Sequence, residues 1–329
     1  MSNEIDYPLV TIMIPTYNQE EFILEAANSA LMQKYPKLEV VVGDDASTDA
    51  TYETISKIED RRLRLIRNRQ NLGRTANYRN LLYNHANGDY VVNLDGDDYF
   101  TDPGFISDAV KLLGENKDVV LIVARASRHS SDKTLLSEIP RDFELNGFEI
   151  LRQLPDDKFL FMHMACLYKR ETALKLDFYR SDTISSDWES LFRLSLYGKV
   201  RFLDKNIGIW RIHGDNETAT IDAVKFEENL KIWPAIYQEA KKQGMGKIKA
   251  EFCCARCIAR FASCDIANLS LQGNKKIAAF VSELFHHYTL ATAFLLVHPF
   301  YCARVILGFL GYYRRRHTSQ PRDNQVGQG

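Results

Sequence analysis

The chain is 329 residues long, room for about two domains, and its 45% hydrophobic and 26% charged residues exclude wholesale disorder and a polytopic membrane protein. With 42 Lys and Arg against 43 Asp and Glu, the net charge is −1, so nucleic acid is excluded as a general partner and any anionic ligand must be held by local groups. The N-terminal stretch is polar, with Glu4 and Asp6 where a secretory leader would be basic and then apolar, and a cytoplasmic catalytic part is expected.

Residues 10–14 are a β-branched run ending at Pro15, and residues 40–42 end at Gly43-Asp44-Asp45; both are expected as buried strands with loops at their carboxyl ends. Between them, residues 20–33 have helical periodicity through Phe22, Ile23, Ala26, Ala27, Ala30 and Leu31. The pattern then repeats, with Ser47 placed to cap a helix over about 50–58, a strand at 63–66, a helix at 75–84 and a strand at 90–94. Such alternation predicts an α/β fold, a mostly parallel sheet flanked by helices. Ligands of such sheets bind beyond the carboxyl ends of the strands, where Pro15, Asp44 and Asp95 fall. From 102 to about 221 the elements are less regular, with a helix expected at 105–115, a strand at 119–124 and a helix at 188–197. This stretch is expected to complete the sheet and build an acceptor pocket. From 223 onward a helical extension is expected, up to a polar tail from Thr318.

Asp95-Gly96-Asp97-Asp98 places three carboxylates within four residues after an apolar strand, and they repel one another unless something positive neutralises them. Mg²⁺ or Mn²⁺ does this with one or two carboxylates, completing its shell with phosphate oxygens and water; a solvated acidic turn is the alternative. In Gly43-Asp44-Asp45-Ala46-Ser47-Thr48-Asp49, a second acidic turn at a strand end, Asp45 is placed to accept the imide N–H of a uracil or related base.

These two stretches, with Ile12-Met13-Ile14-Pro15-Thr16-Tyr17-Asn18 before them, resemble glycosyltransferase family 2 over about residues 8–217. The resemblance implies a GT-A (Rossmann-like) fold and an inverting, metal-dependent enzyme that moves a sugar from a nucleotide diphosphate donor, UDP being favoured, onto an acceptor hydroxyl. It implies that Pro15, Thr16, Tyr17, Asn18, Asp44 and Asp45 hold the nucleotide, and that Asp97 leads the metal ligands beside Asp95 or Asp98, with Gly96 between them. Asn71-Leu72-Gly73-Arg74 through Arg79-Asn80 resembles the segment lying over the nucleotide, with Arg79 facing the phosphates; the family often has a small residue where Tyr78 stands. Ser185-Ser186-Asp187-Trp188-Glu189 resembles the late acidic motif, which assigns the general base to Asp187, with Glu189 as the fallback and a helix N-cap role for Asp187 compatible with catalysis. Trp210-Arg211-Ile212-His213-Gly214-Asp215-Asn216 resembles a loop that closes on the diphosphate; there Arg211 would pair with phosphate, and His213 would ligate the metal, donate to the leaving group, or serve the structure alone.

The expected organisation is a catalytic domain over 1–222, binding the nucleotide sugar up to about 104 and the acceptor beyond it, a helical region over 223–317, and a disordered tail over 318–329. Cys253, Cys254, Cys257 and Cys264 lack the second Cys or His pair of a zinc site and are expected to be small core residues in a reducing compartment. Residues 277–313 are aromatic and aliphatic but are broken by His298-Pro299 and Arg304, and Arg314-Arg315-Arg316-His317 follows. Either a helix lying in the interface of the inner face of the cell membrane or a cap on the catalytic domain or a second subunit is expected. Bacterial surface polysaccharide or lipid-linked glycan assembly is the expected setting. The rivals are a phosphohydrolase of the haloacid dehalogenase type, with Asp95 as nucleophile, and a non-catalytic nucleotide-sugar binder; a nicotinamide oxidoreductase is excluded by the missing Gly-x-Gly-x-x-Gly after the first strand.

Overall fold

A computed structural model describes residues 7–130, 133–136, 142–156, 161–214, 223–272 and 277–318. The chain divides into two compact units, one of residues 1–219 with 238–245 and one of residues 220–237 with 246–329.

The first unit is built on strands β1 (Val10–Thr16), β2 (Leu38–Asp44), β3 (Leu63–Arg67), β4 (Tyr90–Asn93), β5 (Tyr99–Phe100), β6 (Val119–Ser130), β7 (Lys133–Leu136), β8 (Phe143–Asn146), β9 (Cys166–Lys169) and β10 (Lys199–Arg211). They form one sheet in the order β3-β2-β1-β4-β9-β6-β10-β5, with β7 on β6 and β8 on β10. β1 lies parallel to both β2 and β4, and all seven of its residues are buried. That explains why Ile12, Met13 and Ile14 follow one another without the polar alternation of a half-exposed strand. The chain leaves β1 toward β2 on one side, while β4 joins it on the other. This reversal opens a crevice at the carboxyl ends of β1 and β4.

The expected parallel sheet holds for β1 to β4. Beyond them it becomes mixed, because β9 runs antiparallel to β4 and to β6 while β10 is parallel to β6. Helices α1 (Ile23–Leu31), α2 (Thr51–Ser56), α3 (Arg74–Asn80), α4 (Phe105–Glu115), α5 (Gly147–Gln153), α6 (Arg170–Lys175) and α7 (Ser186–Ser195) flank it. The main core gathers Ile12, Ile14, Val40, Val42, Val92 and Ile122 from the sheet with Ala26, Ala30 and Ile106 from the helices.

Three local expectations change. The helix expected at 75–84 is α3 followed by a π turn at Leu81–His85. Ser47 does not cap α2, whose N-cap is Ala50; its hydroxyl instead accepts the Asn18 N–H at 2.9 Å. Asp187 is not an N-cap either, since Ser185 holds that position and Asp187 lies in the first turn of α7.

Two residues further along α7, Glu189 is fully buried, and one turn beyond it Arg193 is 2% exposed. Arg193 Nε lies 2.7 Å from Glu189 Oε1, and Arg180 Nη2 reaches the same oxygen at 2.7 Å. Arg193 also donates to the carbonyls of Leu176 and Asp177. Glu189 is therefore a structural ion-pair partner, not a reserve base.

The described residues from 223 onward are mainly helical: α8 (Ala223–Leu230), α9 (Ile232–Lys242), α10 (Lys247–Gln272), α11 (Ile277–His287), α12 (Thr289–Val297) and α13 (Pro299–Thr318). Cys253 and Cys257 are buried in α10, Cys254 and Cys264 half-buried, and all four are free thiols. No single described helix is long and apolar enough to cross a membrane, and α11 and α12, which reach that length together, are bent by 116°. The tail beyond 318 lies outside the described residues.

Removing one partner of a buried ion pair strands the other charge. Glu189→Ala is expected to lower unfolding stability by about 3–5 kcal/mol, read as a lower denaturant midpoint at unchanged slope. A loss below about 0.5 kcal/mol contradicts this role.

Candidate active site

β4 delivers the acidic turn into the crevice. Asp95 Oδ1 accepts the Tyr78 hydroxyl at 2.7 Å and the Asn93 amide at 3.0 Å. Asp97 and Asp98 are buried. The Arg211 N–H donates to Asp98 Oδ1 at 2.9 Å, and His213 Nε2 lies 3.0 Å from Asp97 Oδ2. Burial, reinforced by the neighbouring carboxylates, pushes Asp97 up and Asp98 well above the usual carboxylate range. Gly96 is required by close approach, because a Cβ there would meet Gln19 Oε1 at 2.4 Å and Thr16 Oγ1 at 2.8 Å.

A turn whose acids hold each other's ionisation back is one that a hard dication would relieve. Among the described residues no three His, Cys, Asp or Glu side chains converge as a closed metal cage. The donor set instead fits the mode in which one or two carboxylates hold Mg²⁺ or Mn²⁺ and substrate phosphates complete the shell. Asp97 and Asp95 are the residues that would hold it.

Arg211 sits behind this turn rather than facing the cavity. Its guanidinium donates to the Asp97 carbonyl at 2.6 Å, pairs with Glu25, and lies over the rings of Tyr99 at 4.3 Å and Phe22 at 5.3 Å. The His213 ring stacks on Phe22 at 4.9 Å. Asp215 and Asn216, the end of the expected closing loop, lie outside the described residues.

At the β2 end the two aspartates part. Asp44, in register with Thr16, is fully buried, accepts the Ser47 N–H at 3.2 Å and pairs with Arg67 at 3.3 Å. It shapes its own loop and does not line the cavity. Asn18 likewise works on that loop, with positive φ and its side-chain oxygen accepting the Thr48 N–H at 2.8 Å. Asp45 does line the cavity, and its carboxylate accepts from the Asn68 amide at 2.7 Å and from the N–H groups of Leu72 and Gly73 at 2.9 Å. Gly73, at φ 88°, turns the chain into α3.

The cavity encloses about 650 Å³. Pro15, Thr16, Tyr17, Asp45, Asp95, Asp97, Asp98 and Asp187 of the sequence-expected set line it. Arg79 does not, because it points to the opposite side of α3, where it pairs with Asp177 at 2.6 Å, donates to the Phe178 carbonyl at 2.9 Å and covers Tyr83. Asp187 is half-buried at the mouth of α7. Burial raises its pKa, against the pull of His163 and Arg74.

Sequence reasoning missed several lining residues. Arg74 donates to the carbonyls of Ile184 at 2.6 Å and Thr183 at 3.3 Å, tying α3 to the loop before Asp187. His163 Nε2 meets the Tyr179 hydroxyl at 2.8 Å, and burial holds its pKa down. Phe161, Met162, Met164, Trp188 and Trp210 form an apolar wall, with Arg128 over the Trp210 ring at 5.2 Å. Arg74 stood within a quoted motif. Arg128 and His163 carried no signal, since neither belongs to a pattern that its neighbours reveal.

The chain is similar to an uncharacterized protein of Mycobacterium tuberculosis (29% identical over 230 residues, 67% of this chain and 64% of that protein). It is also similar to the poly(ribitol-phosphate) beta-N-acetylglucosaminyltransferase TarS of Staphylococcus aureus (28% over 192 residues, 57% of this chain and 32% of that protein). It thus spans less than two thirds of the length of either relative. Among solved structures it matches S. aureus TarS 1–349 in complex with UDP-GlcNAc at a TM-score of 0.67 and 19% identity, over 95% of this chain and 93% of that one. The mannosyltransferase PcManGT from Pyrobaculum calidifontis, in complex with GDP-Man and Mn²⁺, matches at 0.56 and 19%, over 96% and 89%. The fold shared with these structures is GT-A. The profile of glycosyl transferase family 2 matches residues 11–176, half of the chain, and the chain belongs to that family.

Proposed function

We propose that this chain transfers a sugar from a nucleoside diphosphate donor, UDP being favoured, to an acceptor hydroxyl with inversion of configuration, in surface polysaccharide or lipid-linked glycan assembly. One observation carries the reading: a single cavity joins Asp45 from the end of β2, Asp95, Asp97 and Asp98 from the end of β4, and Asp187 from the start of α7. The family, and the nucleotide sugars bound in two structures of the same fold, support a nucleotide-sugar donor.

Asp45 presents about four acceptor sites, of which the chain uses three, leaving one for an imide N–H of the base. Asp97, with Asp95, would hold a divalent cation beside the diphosphate of the donor. Bound there, a divalent cation supplies the positive charge that offsets the charge growing on the leaving nucleoside diphosphate. Asp187 takes the proton of the acceptor hydroxyl as the acceptor oxygen bonds to the anomeric carbon. The bond from that carbon to the phosphate oxygen breaks on the opposite face, and the electron pair leaves with the nucleoside diphosphate. The apolar wall around Trp188 and Trp210 excludes water from the nucleophile's place, so that transfer outruns hydrolysis. A haloacid dehalogenase reaction is disfavoured because Asp95 follows the fourth strand of the chain and is held by Tyr78 and Asn93.

Asp187→Asn is expected to lower kcat by a factor on the order of 10²–10⁴ with donor binding intact. Asp97→Ala is expected to abolish the Mn²⁺-dependent part of donor binding, as measured by calorimetry across a panel of nucleotide sugars. Unchanged transfer in Asp187→Asn would remove the base assignment.

The pH dependence has a definite sign. The base works deprotonated, and burial raises its pKa, so kcat is expected to fall on acidification from a higher pH than an ordinary aspartate near 3.8 would give. This acid limb should vanish in Asp187→Asn; its persistence there would assign it to another group.

A further inference from the structure

We propose that the outward face of α13 is a docking surface for a membrane rich in anionic phospholipid, on which the protein lies without spanning it. The inner face of α13 is already satisfied within its own unit. Tyr301 is buried, Gly308 packs so closely on α10 that an added Cβ would meet the Ala267 Cα at 2.7 Å, and Arg304 donates to the Cys264 thiol at 2.6 Å. The opposite face carries Phe300, Ile306, Leu307 and Leu310, exposed by 58%, 57%, 66% and 53%. These fall at helical spacing, where a water-facing helix would be polar. Leu296 and Val297, at the end of α12, are exposed just before it.

Charge identifies the occupant. Residues 284–317 contain no Asp or Glu, while Arg304, Arg314, Arg315 and Arg316 lie among them. An apolar face beside a basic run matches the acyl boundary and headgroups of an anionic bilayer. A second copy fits less well, because symmetric pairing of this segment brings no carboxylate to the arginines of either copy. Spanning is disfavoured by Arg304 within the helix and by the lack of any described helix that is long and apolar enough. The proposal is independent of the sugar donor.

The test is flotation of the full chain with vesicles of phosphatidylglycerol and phosphatidylcholine, against vesicles of phosphatidylcholine alone. Expected is binding to the anionic vesicles at least about tenfold stronger than to neutral ones, falling steeply at roughly 0.5 M salt. Arg314→Gln, Arg315→Gln and Arg316→Gln together should weaken binding to the anionic vesicles by a factor on the order of 100. Ile306→Asp with Leu310→Asp should abolish it while circular dichroism and the thermal midpoint stay unchanged. Failure of the intact, folded chain to float with anionic vesicles overturns the proposal. So does sedimentation showing a dimer that Ile306→Asp with Leu310→Asp dissociates while vesicle binding persists.

Discussion

Like charge held out of water is the constraint on which the catalytic unit depends. Asp95, Asp97 and Asp98 crowd the end of β4, and there burial with the neighbouring carboxylates pushes Asp97 up and Asp98 well above the usual carboxylate range. Each therefore has its own partner from a different part of the chain: Tyr78 of α3 for Asp95, His213 for Asp97 and the Arg211 backbone for Asp98. The short β5, pairing with β10 at Phe100 and Gly208, brings the far end of that strand back to the turn. The end of β10 is thus held against a buried acidic turn whose crowded carboxylates a divalent cation would relieve.

On α7, two carboxylates two residues apart meet opposite fates. Asp187, in the first turn, faces the cavity, where His163 and Arg74 act against the upward push of burial on its pKa, while Glu189 is fully buried between two arginines. Helix geometry separates them, since residues two apart point to different sides. One carboxylate stays available to a substrate proton and the other holds the helix to the segment around Leu176 and Asp177. The same logic divides Asp44 from Asp45, where alternation along an extended chain turns one into the core of a loop and the other toward the cavity.

The second unit solves a different problem. Its helices bury Phe280, Leu284, Leu295 and Tyr301 among themselves, yet α13 carries a second apolar face that the unit leaves uncovered. A helix that is apolar on two sides needs two apolar surroundings, and α10 supplies one of them.

Much of this was legible in residue order alone. The alternating strands and helices up to residue 94, the crevice at their carboxyl ends, and the placing of Asp45 and of the Asp95-Gly96-Asp97-Asp98 turn at that crevice follow from local periodicity. Those signals are short in range and survive without knowledge of distant contacts. Tertiary structure alone decided which way Arg79, Arg211 and Glu189 face, that Arg74, Arg128 and His163 join the cavity, and that the sheet turns mixed beyond β4. Arg74, Arg79 and Arg211 turn toward partners some 100 residues away, such as Arg74 with Ile184 or Arg211 with Asp97, and Glu189 meets Arg180 and Arg193 nearby in sequence because the packing of α7 buries that side.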